Sequence, residues 1–76
     1  MDKPTPEQIA RHYSAMGDSV WLINAIIAGE QPDNCNAVER NVAHLELMRA
    51  KNFWTNEDMA AVNAAIVSGK AYLASH

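Results

Sequence analysis

The chain has 76 residues, 49% of them apolar and 20% charged, a globular composition that excludes a fibrous repeat or a disordered tail. One domain, residues 1–76, is the ceiling at this length. Only about 60% of the unfolded surface can be buried on folding, so help from a second copy or a partner is expected. Six Lys and Arg against nine Asp and Glu leave a net charge of -3, which disfavours a grip on nucleic-acid phosphates and is too dilute to imitate them.

Two further absences bound the class. Cys35 is the single cysteine, so neither an intramolecular disulfide nor a thiolate metal cage can form, and a reducing cytoplasm is the expected compartment. No apolar run reaches the roughly 18 residues of a membrane span, and Met1-Asp2-Lys3-Pro4 has neither a basic start nor an apolar stretch behind it. A soluble, unprocessed protein is expected.

Thr5-Pro6-Glu7-Gln8 opens the first helix, with Thr5 as N-cap, Pro6 in the first turn and Gln8 closing a capping box. Ile9, Tyr13, Met16, Val20, Ile23 and Ile27 then recur at spacings of four and three. The phase runs across Gly17 without a slip, which predicts one helix over about 6–28 with Gly29 as its C′ residue. Pro32, Asp33 and Asn34 mark a connection. Asp33 and Asn36 compete as caps of a second helix, over about 34–51, whose buried face is Val38, Val42, Leu45 and Met48 and which Asn52 closes.

Thr55-Asn56-Glu57-Asp58 is another capping box, opening a third helix over about 56–74 with Met59, Val62, Ile66 and Leu73 on its buried face. Gly69 leaves a notch that either admits a neighbouring helix or marks a frayed end. Six of the 13 alanines lie at or beyond position 60, giving this helix a slim surface. No strand pattern is found, and short connections favour an all-α antiparallel three-helix bundle, with a helical hairpin completed by dimerisation as the rival.

Residues 54–69 resemble the helix-opening segment of small tailed-phage head-to-tail joining proteins in their capped acidic first turn, alanine-rich helix and Ser68-Gly69 end. In those proteins the glycine leads into a β-hairpin, for which Lys70 to His76 is expected to be too short. The resemblance implies a phage or prophage origin and assigns no functional residue.

Trp21 and Leu22 fall off the Val20, Ile23 and Ile27 face, and Ile26 flanks it. These three are the candidate contact surface, for another protein or for a second copy, unless neighbouring helices cover both faces. Trp54 is either a staple against Met59 or an aromatic anchor for a partner at the bundle end. Arg40, His44, Leu47 and Lys51 share one side of the second helix and read as a solvated stripe. Asn24, Asn41 and Asn63 place one amide in each helix, at the edge of the core. His12, His44 and His76 lack metal-ligand spacing, and no nucleophile with its base or phosphate-binding glycine loop is present, so no metal, cofactor or catalytic residue is expected. A helix-turn-helix reading of the second and third helices founders on Glu57 and Asp58, two acids where DNA would lie. The expected function is therefore a non-enzymatic interaction module acting as inhibitor, adaptor or accessory factor. A self-associating homodimer is the alternative, with DNA binding third and no role for a membrane.

Overall fold

The computed structural model describes residues 5–51 and 54–76, in which three helices follow one another: α1 (Pro6–Ile27), α2 (Cys35–Arg49) and α3 (Asn56–Ser75). All three pairs of helices are in contact, and no strand occurs among the described residues. Contacts between α1 and α2 and between α2 and α3 run in opposite chain directions, so α1 and α3 point the same way. The protein is a small all-α three-helix bundle, 41 × 20 × 17 Å overall.

Local chemistry sets the ends of each helix. Thr5 Oγ1 accepts from the Gln8 N–H at 3.2 Å while Gln8 Oε1 accepts from the Thr5 N–H at 3.0 Å. Thr55 and Asp58 make the same reciprocal pair at the start of α3, at 3.1 and 3.2 Å. Each box satisfies two donors that a helix start otherwise leaves open. α1 ends in a Schellman-type turn: Glu30 N–H donates to Ala25 O at 2.9 Å and Gly29 N–H to Ile26 O at 3.2 Å, with Gly29 at φ +81. That left-handed conformation suits glycine because no Cβ meets the carbonyl.

The cap of α2 is Asn34, whose Oδ1 accepts from the Ala37 N–H at 3.0 Å. It displaces both Asp33 and Asn36. Asp33 is engaged elsewhere, accepting from the Tyr72 hydroxyl at 3.0 Å across 39 residues of sequence. At its far end α2 is capped by Ala50, and the predicted terminus Asn52 lies outside the described residues, as does Phe53.

The core is built from Met16, Ile23 and Ile26 of α1, Val38, Val42, Leu45 and Met48 of α2, and Val62, Ile66 and Tyr72 of α3. The α2 face is the predicted one. On α1 the buried stripe is rotated toward Ser19 and Ile26, while Val20 is half-buried and Ile27 is left 42% exposed. Ser19 can enter the core, at 3% exposure, because its Oγ lies 2.9 Å from His44 Nδ1 on α2. A buried hydroxyl with a partner escapes the cost of lost hydration. On α3 the stripe takes in Ala65 and Tyr72, with Met59 and Leu73 half-buried at its margin.

Gly69 is where the three helices converge. A Cβ placed on it would stand 2.5 Å from Val42 Cγ2, 3.5 Å from Val38 Cγ1 and 3.6 Å from Ile23 Cγ2. The notch therefore admits the neighbouring helices, and α3 continues through it to Ser75 without fraying. Gly17, by contrast, has nothing within 4 Å of its Cβ position and sits in an unbroken α1.

Candidate protein interaction surface

The four predicted contact residues separate into different environments. Trp21 stands 58% exposed on the outer face of α1. It is two residues from Ile23, which places it about 160° around the helix from that core side chain. Leu22 is half-buried and packs against the core from its edge. Ile26 is 2% exposed and belongs to the core itself. The surface predicted from Trp21, Leu22 and Ile26 together is thus corrected: with the stripe turned toward Ser19, Ile26 is carried inward and Trp21 remains outside with only an edge of Leu22.

Trp54 is half-buried where the end of α2, the start of α3 and the first half of α1 meet. Its ring meets Tyr13 edge-on, at 4.7 Å between centroids and 78° between planes. Its indole N–H donates at 2.6 Å to the Met48 carbonyl, which also accepts from the Lys51 N–H at 3.0 Å. Tyr13 in turn hydrogen-bonds the Asp58 carboxylate. That bond lowers the Asp58 pKa, with Thr55 adding to the effect, and it raises the phenol of Tyr13, with burial and the negative charge of Asp58 adding to that rise. Trp54 thus makes internal contacts, with Tyr13 of α1 as its ring partner and the Met48 carbonyl as its acceptor.

Other large apolar side chains stand exposed: Leu47 at 72%, Val67 at 69% and Ile27 at 42%. Leu47 lies two residues from buried Leu45 and Val67 five from buried Val62, so each faces away from its own helix's core stripe. The outer faces of a three-helix bundle diverge, and Trp21, Leu47 and Val67 accordingly stand on three separate faces. The outer face of α3 is distinctive in another way. Ala60, Ala61, Ala64, Val67, Ser68 and Ala71 are all exposed, and Lys70 is the one Lys, Arg, Asp or Glu from Met59 to Ser75.

His44 does not belong to a solvated stripe, because it turns inward to Ser19 while Arg40, Leu47 and Lys51 stay exposed. Of the three helix amides, Asn24 and Asn63 are exposed, and Asn63 accepts from Arg49 at 3.1 Å. Asn41 is half-buried and donates to Ala37 O at 2.7 Å. Cys35 is a half-buried free thiol at the first position of α2.

At the end of the bundle shared by the termini of α1 and α3, an open depression of about 440 Å³ is lined by Ile26, Ile27, Asp33, Ala71, Tyr72 and His76 among others. Tyr72 and His76 stack there at 3.9 Å and 20°. Burial raises the Tyr72 phenol above its ordinary value, and the hydrogen bond to Asp33 raises it further. Sequence patterning gave no warning of this corner, since its partners are joined only by the packing of α3 back onto the first connection.

Among the described residues no group of three His, Cys, Asp or Glu is placed to hold a metal ion. No described helix is long and apolar enough to cross a membrane. The chain defines a small all-α bundle by its own geometry; comparison with protein families, with curated proteins and with solved structures returns no match.

Proposed function

We propose that this bundle is a non-enzymatic interaction module that binds another protein through the outer face of α1, with Trp21 as the anchor. The observation that carries the reading is a core closed without Trp21, which leaves 58% of that side chain in water. A tryptophan buries up to about 250 Å², so covering the exposed part would contribute up to about 3.6 kcal/mol at about 25 cal/mol per Å². That is the scale of an interface hot spot. The net charge of -3 argues for a protein partner over nucleic acid. The likeness of residues 54–69 to phage joining proteins supports a phage or prophage source.

Trp21→Ser removes the anchor from an exposed position, so the thermal melt should stay close to that of the parent chain. Reproducible capture of one partner by the parent, lost in Trp21→Ser and kept in Leu47→Ser, is the expected pattern. An identical capture profile for all three chains would reject the role of Trp21.

A second reading, self-association, is favoured by the outer face of α3. Its run of exposed small residues with one charge allows two helices to approach closely. Light scattering across a concentration series separates the two. A monomer throughout leaves the heterologous partner, whereas a dimer abolished by Ala64→Glu and retained in Trp21→Ser assigns the seam to α3.

A further inference from the structure

The depression at the end of the bundle combines features that neither reading above uses. Its floor is aliphatic, from Ile26, Ile27 and Ala71, and one wall is the stacked pair Tyr72 and His76. Asp33 stands at the rim, exposed, with its Oδ1 held by the Tyr72 hydroxyl at 3.0 Å. One hydrogen bond leaves most of a carboxylate's roughly four acceptor positions open to an incoming donor.

The electrostatics there are one-sided. α1 and α3 both end at the depression, which brings two negative helix poles together, and neither last turn carries a basic residue. The opposite pole of α2 is near, but the Asn34 side chain already occupies its Ala37 N–H. Lys70, the neighbouring cation, points to Glu46 at 3.3 Å on the other side of α3. Among the described residues no Lys or Arg lines the depression.

We propose that this corner receives an arginine side chain of a partner polypeptide. A guanidinium is planar and presents a fork of donors, so it can pair with the Asp33 carboxylate while its face lies on the aromatic wall. The aliphatic stem covers the floor of Ile27 and Ala71. The ammonium of lysine is a compact, strongly hydrated charge and would use the wall poorly. A polypeptide source fits because the depression is open to solvent: a free amine would stay largely hydrated there, whereas a partner's backbone closes over the side chain it delivers. The inference does not depend on Trp21.

The test is an NMR titration of the full chain with an acetylated and amidated Leu-Arg-Leu peptide, and with the same peptide carrying citrulline, the neutral isostere, in place of arginine. The expected result is saturable shifts centred on the Gly29, Ser68, Ala71 and Ser75 amides, with affinity in the millimolar range suited to one side chain. Citrulline should weaken binding by about tenfold, and so should Asp33→Asn, which keeps an acceptor for Tyr72 but removes the charge. Ala71→Leu fills the floor from an exposed helix position and should abolish binding with the melt unchanged, which keeps the test valid if Asp33→Asn fails to fold. No saturable shift, equal binding of the citrulline peptide, or shifts scattered over the acidic surface would each overturn the proposal.

Discussion

Adding one methyl group to the chain at two different glycines should have effects of opposite sign. Gly69→Ala places a Cβ 2.5 Å from Val42 Cγ2, with Val38 Cγ1 and Ile23 Cγ2 at 3.5 and 3.6 Å. Val42 is 4% exposed and β-branched, so its methyl has no free rotamer into which to retreat, and the backbones of α2 and α3 must part. Overpacking of this kind costs about 1–3 kcal/mol. The better helix propensity of alanine returns about 1 kcal/mol, leaving a net loss of about 1 kcal/mol. In a domain of this size that lowers Tm by roughly 4–8 °C. Gly17→Ala meets nothing within 4 Å, so the propensity gain stands alone and should raise Tm by a similar amount, at about 0.5–1 kcal/mol. Thermal melts followed by circular dichroism, with denaturant midpoints as a second measure, read both. In a double-mutant cycle, Val42→Ala combined with Gly69→Ala should cost less than the sum of the two, because the shortened side chain removes the clash. A Gly69→Ala chain as stable as Gly17→Ala would refute the close approach of the helices.

Two other expectations follow from the hydrogen-bonded corners. Ser19→Ala strips His44 Nδ1 of its partner beneath the surface and should cost about 1 kcal/mol, measured by urea denaturation with an unchanged m-value; no loss would show that water replaces the hydroxyl. The pH dependence has two limbs. The Asp58 pKa is lowered in the folded chain by Tyr13 and Thr55, so the stabilisation is present above the ordinary carboxylate range and is lost as pH falls through the depressed folded value. Tyr13 and Tyr72 are raised, so their contribution is present below about pH 10 and is lost as pH rises through their folded values. Melts at stepped pH should show both limbs, and Asp58→Asn should flatten the acid one; an acid limb of unchanged steepness in that variant would assign it to other carboxylates.

Short-range chemistry was legible and long-range partners were not. The capping boxes at Thr5 and Thr55 and the C′ role of Gly29 depend on residues within five positions of one another, and each is realised. Val38, Val42, Leu45 and Met48 were legible for a similar reason, since α2 carries a single unambiguous apolar stripe. α1 carries more apolar residues than one stripe can hold. Counting only apolar positions put Val20 and Ile27 inside, whereas the buried line runs through Ser19, a polar residue made compatible with the core by a histidine 25 positions away. Ile26 followed Ser19 inward, and the candidate contact surface shrank to Trp21 with the edge of Leu22. Asp33 and Asn36 were the competing caps by sequence, and the structure uses Asn34, which lies between them; Asp33 is drawn off by Tyr72 from the far end of the chain. The depression beside that bond has no local pattern at all, because its floor, wall and rim come from α1, α3 and the first connection.

The two tryptophans give the chain a built-in pair of optical reporters with separate duties. Trp54, half-buried and held by Tyr13 and the Met48 carbonyl, is placed to sense the docking of all three helices, because each contributes to its surroundings. Trp21 looks into solvent and carries little information about folding. Its emission would respond to anything that covers the outer face of α1. Replacing Trp21 by phenylalanine yields a single-tryptophan chain whose fluorescence follows unfolding. Replacing Trp54 by phenylalanine leaves one whose fluorescence would report the contact proposed for that face, so the proposal and the stability can be tested on the same molecule without a foreign label.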